Sequence, residues 1–307
     1  MEDNKITLNE SKNKIEYSQL EPNNVYNGDC MELLNYIQEK SVDCIITDLP
    51  YGQTKNKWDI VIPMNDYVIW EGQIYDQTSF ILELCKLGVP YNECNQLFDE
   101  QKKPGLWSLY NKVIKDDGVI ILFGNGLFTM NLMSSNKEMW RYNLIWEKTQ
   151  PTGFQNANIM PMRSHEDICV FYKKKPTYNP QKTDGHTRKV SLASHKRNSK
   201  QSTNYNDIKA ASYDSTERFP NSIWKFAKDI QKEALHPTQK PIALLQELIK
   251  TYTNKGELVL DSCAGSMSTA IACMDTERQY ICIEQDEEMY KIGKTRIDNH
   301  SVQYTMF

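Results

Sequence analysis

Leu258-Val259-Leu260-Asp261-Ser262-Cys263-Ala264-Gly265-Ser266 is the stretch that decides the fold. A short apolar run ends in an acid and gives way to small residues, and a helical pattern follows to about Met274. Continuous apolar runs of this length read as buried strands of a parallel sheet. In open α/β sheets, ligands sit at the carboxyl ends of the strands. There, small residues let the backbone approach the ligand, and a helix N-terminus offers free N–H donors. Small residues also build plain tight turns, so this stretch alone leaves a ligand-free turn open. The next strand, at 280–284, narrows the choice. It ends in Glu284, 23 residues beyond Asp261, a spacing that lets an acid at a strand tip accept hydrogen bonds from a ribose diol. The full G-x-G-x-x-G of dinucleotide enzymes is absent, which favours an adenosyl cofactor over a nicotinamide one.

Outward from this core the same alternation repeats. An amphipathic helix is predicted over 242–252, with Gly256 as its stop, and a last helix over 287–297. Toward the N-terminus, strands are predicted at 25–27, 42–47, 119–123, 142–146 and 167–172, with a helix at 31–39. Strands alternating with helices imply a mostly parallel sheet covered on both faces, an α/β fold. Two segments fit poorly. Residues 71–105 hold one helical piece (80–87), several turn signals, and six acids against three lysines; they read as an insertion. Residues 173–235 are basic, rich in Ser, Thr and Asn, and poor in aliphatic side chains.

Val42-Asp43-Cys44-Ile45-Ile46-Thr47 runs directly into Asp48-Leu49-Pro50-Tyr51, which places chemistry at a strand tip. An exocyclic amine on a nucleobase is a poor nucleophile because its lone pair is delocalised into the ring. A carboxylate and a backbone carbonyl that accept its N–H groups return that lone pair. Asp48 supplies the first, the Leu49-Pro50 backbone the second, and proline fixes the turn. Tyr51 offers a flat face for a base taken out of the duplex. On these four residues alone, a strand-ending turn with a core tyrosine is an equal reading.

Five ordered blocks break that tie. The chain resembles the amino-group DNA methyltransferases of the beta type, in which the catalytic block precedes the cofactor block. The matching pieces are Gly28-Asp29, Asp48 to Tyr51, His165 to Lys173, His236-Pro237-Thr238-Gln239-Lys240-Pro241, and Asp261 to Ser266, spread over about 25–297. The resemblance implies a Rossmann-like, seven-stranded methyltransferase sheet that binds S-adenosylmethionine, with an inserted target-recognition region. It divides the chain into a catalytic half (1–172), the recognition region (173–235) and a cofactor-binding half (236–307). It assigns Asp48, Pro50 and Tyr51 to catalysis. To the cofactor it assigns Asp29, Asp48, Thr238, Gln239, Lys240, Asp261, Cys263, Ala264, Gly265 and Glu284. Three positions depart from the pattern. Leu49 replaces the usual first proline, Cys263 stands where phenylalanine is common, and Met267 where a second glycine is common; if that site needs a positive φ, methionine is strained there.

The implied reaction is site-specific methyl transfer from S-adenosylmethionine to adenine N6 in double-stranded DNA with base flipping, in a restriction-modification setting. Cytosine N4 is the alternative within the class; serine more often opens the block in those enzymes, so Asp48 favours adenine. A protein or RNA amine methyltransferase and an inactive DNA-binding protein are more distant readings. The net charge of −4 conceals an asymmetry, because 173–200 carries nine basic residues against one acid. Its position assigns Lys174, Lys175, Arg188 and Lys189 to DNA contact. Eight scattered cysteines contain no C-x-x-C pair, so reduced thiols and no metal site are expected. The polar first 24 residues and the lack of a membrane-length apolar run place the chain in the cytoplasm with no membrane partner. Phe80, Ile81, Leu84 and Leu87 form an apolar helical face in the insertion, for which a homodimer contact is the expected use.

Overall fold

The computed structural model describes residues 19–52, 59–192, 212–227 and 239–305. In chain order the elements are β1 (Asn24–Asn27), α1 (Cys30–Leu33), β2 (Val42–Thr47), β3 (Tyr67–Trp70), β4 (Gln73–Asp76), α2 (Gln77–Lys86), α3 (Tyr91–Gln101), α4 (Leu106–Val113), β5 (Ile114–Gly124), α5 (Leu127–Ser135), β6 (Trp140–Thr152), β7 (Arg163–Phe171), β8 (Lys189–Ser191), β9 (Tyr213–Ser215), β10 (Ile223–Phe226), α6 (Ile242–Tyr252), β11 (Leu258–Asp261), α7 (Ser268–Asp275), β12 (Gln279–Glu284) and α8 (Glu287–Thr305). No helix among the described residues is long and apolar enough to cross a membrane.

Among the described residues the main sheet has eight strands, in the order β1-β12-β11-β2-β5-β7-β6-β10. All neighbours are parallel except β7, which runs antiparallel between β5 and β6. Both faces are covered, so the central strands are apolar throughout rather than alternating. One face buries Ile45, Ile120, Leu122, Cys169 and Leu260 with α4 and α5; the other buries Cys44, Ile46, Ile121, Val170 and Val259 with α6 and α7. The family resemblance implied seven strands. The eighth, β10, comes from the basic segment and pairs with β6 at the edge, so 173–235 does not stand wholly apart from the sheet.

The strand order reverses between the parallel neighbours β11 and β2, from which connections leave toward opposite edges. Ligands bind at such a switch point, beyond the carboxyl ends of the strands. Asp48 follows β2 and Asp261 ends β11, so the two acids emerge side by side at that crevice.

Two elements differ from expectation. The helix predicted over 31–39 stops at Leu33 and tightens into a 3₁₀ turn at Leu34–Tyr36, because Ile37 turns extended and buries itself beside Leu33 and Leu34. The segment expected as an insertion at 71–105 is joined by the β3–β4 hairpin, which begins at Tyr67, and shares a small core with it. Phe80, Ile81 and Leu84 of α2 pack there with Val68, Cys94 and Phe98. The apolar face that suggested a dimer contact is thus largely covered within the insertion itself, and Leu87 stays exposed.

Candidate active site

A cavity of about 850 Å³ opens over the switch point, within the roughly 300–1,000 Å³ common for ligand sites. Its lining divides into two ends. One holds Asp29, Cys30, Met31, residues 261–266, Glu284 and Met289; the other holds Asp48 to Tyr51, Phe123, Asn125, Lys148, Arg163, Glu166 and Lys240. The cavity therefore brings together nearly every residue that the sequence assigned to catalysis or the cofactor. Thr238 lies outside the described residues.

At the first end the chain grips its own acids. Asp29 caps α1 by accepting from the Met31 N–H at 2.9 Å. Asp261 accepts from the Cys263 N–H at 3.2 Å and from the Thr269 hydroxyl at 2.5 Å. Burial pushes its carboxyl up to about 6, although the Thr269 and Thr47 hydroxyls oppose this. Glu284 accepts from the Gly265 N–H at 2.7 Å and from the Asp286 N–H at 2.8 Å, which ties the two strand tips together; burial raises its pKa. Gly265 has φ +49, and a Cβ placed there would meet no protein atom within 4 Å. Its backbone thus faces open cavity, a bare cradle of the kind that accommodates a closely approaching ligand. Gln239 accepts from the Ser266 hydroxyl at 3.0 Å and so joins the segment before α6 to this loop.

Met267 adopts φ +61 and ψ +32 at the N-terminus of α7. The position does need a left-handed backbone, and methionine meets that need under strain. Its side chain is fully buried and packs where Gly293 of α8 leaves room. Burial of the thioether chain offsets the backbone strain, which is why a residue other than glycine holds here. Cys263 is half-buried on the cavity wall, which Cys30 also lines.

At the second end Asp48 has partners on both oxygens. The Tyr51 hydroxyl donates to Oδ1 at 2.9 Å, and the Lys240 ammonium pairs with Oδ2. Each carboxylate oxygen keeps a further lone pair for another donor. The ring of Tyr51 stacks on Phe128, with centroids 4.5 Å apart and planes 27° from parallel, so one face is covered from behind. Lys240 also lies 3.3 Å from Glu166, and Glu166 lies 2.5 Å from Lys148. Burial works against the charge on Lys240, yet Asp48 and Glu166 outweigh it and hold the ammonium protonated. Burial likewise opposes the charge on Glu166, and Lys240 and Lys148 reverse that, holding its carboxyl below the usual range.

Sequence reasoning missed Lys148, Phe128, Asn125 and Arg163, and quoted Glu166 without giving it a role. The four basic residues assigned to DNA do not line the cavity. Lys174 pairs with Asp116 at 2.9 Å, near the start of β5 and away from its cavity end at Gly124. Arg188 makes a two-pronged pair with Asp214, at 2.8 and 2.7 Å. Lys175 and Lys189 are exposed. No group of three or more metal-ligating side chains exists among the described residues.

A family model described as DNA methylase matches residues 42–295. The Type II methyltransferase M2.MboI of Moraxella bovis is 26% identical over 297 residues, covering 89% of this chain and 86% of its own. The DNA adenine methyltransferase YhdJ of Escherichia coli (strain K12) is 27% identical over 288 residues, covering 91% and 83%. Among solved structures, the PvuII DNA methyltransferase (cytosine-N4-specific) superimposes with a TM-score of 0.56 at 14% identity, covering 91% of this chain and 87% of that one, a likeness of fold.

Proposed function

The chain belongs to the N6/N4 DNA methylase family, and from that premise we propose that it transfers a methyl group from S-adenosylmethionine to the N6 amine of adenine in double-stranded DNA. The observation that carries this reading is the single cavity joining Asp48 and Tyr51 to the Asp261–Glu284 cradle. S-adenosylmethionine, when bound, supplies an electrophilic methyl on a sulfonium. Glu284 and Asp29 would hold it through its adenosine hydroxyls and amine, Gly265 would offer its bare backbone, and Gln239 would order the loop beside it.

The chain's own residues then act on the base. Asp48 accepts an N–H of the exocyclic amine through a lone pair that Tyr51 and Lys240 leave free, which returns nitrogen lone-pair density for attack. The Leu49-Pro50 backbone offers the second acceptor. Tyr51 keeps one ring face for stacking while Phe128 braces the other. A base reaches this depth only when taken out of the duplex. Adenine is favoured by Asp48 and by the name of the Escherichia coli relative.

Incubation with labelled S-adenosylmethionine and genomic DNA, followed by nucleoside analysis, tests the reading. N6-methyladenine is expected. N4-methylcytosine would overturn the base assignment, and cofactor binding without DNA labelling would overturn the reaction.

A further inference from the structure

Charged side chains continue one face of the sheet past the end of its apolar layer. Side chains on a strand alternate between faces. On the face covered by α6 and α7, β2 contributes Cys44 and Ile46, β5 Ile121 and Phe123, β7 Ile168 and Val170, and β6 Leu144 and Trp146. Two residues nearer the cavity, the same alternation yields Asp48 after β2, Glu166 on β7 and Lys148 on β6. Phe123 stays apolar between them. Lys240 lies over its ring, with Nζ 4.9 Å from the centroid. The ammonium thereby bridges across β5, from Asp48 on one side to Glu166 on the other. Lys148 closes the row behind Glu166 and sits over Trp146, 5.2 Å from that centroid. Asp48, Lys240, Glu166 and Lys148 alternate in sign and balance.

We propose that Glu166 and Lys148 are positioning residues for the Asp48–Lys240 pair, holding the ammonium above Phe123 and keeping the row neutral so that Asp48 keeps a fixed direction toward the substrate amine. The inference rests on the methyl-transfer reading above. A lysine is a point charge on a flexible four-carbon stem. Asp48 alone would let it swing toward the open cavity and compete with the substrate's N–H. Glu166, on an interior strand of the sheet, fixes the other side of the ammonium. Lys148 then balances the second carboxylate, since a buried charge left without its partner is strongly unfavourable. Losing Glu166 leaves two ammonium groups against Asp48, and losing Lys148 leaves two carboxylates against Lys240. A pair that merely stitched β6 to β7 would show the same rescue in stability, but it would leave the titration of Lys240 and the alkaline limb of the rate unmoved.

The test uses Glu166→Gln, Lys148→Met and the double variant in the full chain. Each single change is expected to lower kcat for DNA methylation at least tenfold, with the Kd for S-adenosylmethionine by calorimetry within threefold. The double variant, neutral again, is expected to recover at least threefold over the weaker single. In Glu166→Gln the alkaline limb of the pH–rate profile is expected to move to lower pH, because Lys240 has lost one of the two carboxylates that keep it protonated. Wild-type kcat in both singles, or losses that simply multiply in the double with an unmoved alkaline limb, would overturn the proposal. A wild type that methylates no DNA would fail the parent reading instead. NMR titration of ¹³Cε-labelled lysine, with Lys240 assigned by Lys240→Arg, still decides the row: a lower Lys240 pKa in Glu166→Gln supports it, and an unchanged one sinks it.

Discussion

The two ends of the cavity hold their carboxylates in opposite ways. At the cofactor end, Asp261 and Glu284 are gripped by backbone N–H groups and a hydroxyl, three of the four donors lying within eight residues of the acid they serve. At the proposed amine end, Asp48 is held by Tyr51, three residues on, and by Lys240, 192 residues away, itself ion-paired with Glu166 at 3.3 Å. Neutral donors from short loops build a cradle that is rigid whatever the charge state of its neighbours. Charged donors brought together by the tertiary fold make a site whose geometry depends on every charge in the row. The first suits binding and the second suits direction of a reacting amine.

The sharpest way to test this division is to remove one acid from each end. Asp48→Ala should lower methyl transfer by at least about a thousandfold, or about 4 kcal/mol of barrier, while the Kd for S-adenosylmethionine stays within a few-fold. A labelled-methyl assay beside calorimetry reads both. Comparable losses of binding and transfer would mean the ends are not separate. Glu284→Ala should do the reverse. It removes charge-assisted hydrogen bonds worth about 1.5–3 kcal/mol each, so cofactor affinity should fall roughly ten- to a hundredfold. Saturating cofactor should then restore most of the turnover; unchanged affinity would place the adenosyl group elsewhere.

How much of each end could be read from the sequence follows the same line. The strands 42–47 and 258–261 and the helix 242–252 match their expected bounds, because a short apolar run or a 3.6-residue period carries its own signal. The proposed cofactor cradle could be assembled from the sequence for the same reason, since acid, small residues and second acid lie along one βαβ unit. Glu166 and Lys148 were not. Their meaning depends on the β6–β7 register, which pairs Trp146 with Glu166 and so sets Lys148 diagonally beside it. Nothing local distinguishes Lys148 from a solvated strand lysine. The hairpin at the N-terminal edge of 71–105 was not legible, because the Glu71-Gly72 turn, with φ +50 and +78, reads as loop unless Tyr67–Trp70 is recognised as its first strand.

Met267→Gly probes the strain within the cradle. Glycine relieves the left-handed backbone but leaves the space of a fully buried side chain. Relief of about 1 kcal/mol set against about 2–5 kcal/mol for a lost core methionine leaves a net loss of about 1–4 kcal/mol. Denaturant unfolding should show it, with cofactor affinity equal or tighter once saturated with folded protein. A stability gain would mean that the strain dominates. The buried Asp261 gives a smaller effect. Its folded carboxyl titrates near 6 rather than 3.8, so the folded state binds more protons than the unfolded state between those values. Its contribution to stability is therefore present below about 4 and is lost as pH rises toward 6. Asp261→Asn should flatten that limb of the stability profile; an unchanged limb would assign it to other groups.

The smallest effect concerns DNA contact outside the cavity. The four basic residues Lys174, Lys175, Arg188 and Lys189 remain proposed phosphate contacts, but their surroundings rank them below Arg163. Lys174 and Arg188 already face Asp116 and Asp214, and Lys174 lies toward the amino end of β5, the far edge from Asp48. Arg163 opens β7 at the cavity rim, where a duplex delivering a base to Asp48 must pass. Each phosphate neutralised adds about 0.9 to the slope of log K against log salt. Arg163→Glu should therefore lower that slope by about one and weaken binding to all sequences alike. Charge reversal of Lys174 and Lys175 together should change it by less. The opposite ranking would show that the duplex runs along the far edge of the sheet. The flipped base would then have to cross the sheet's own depth to reach Asp48, and the assignment of the amine end would fall with it.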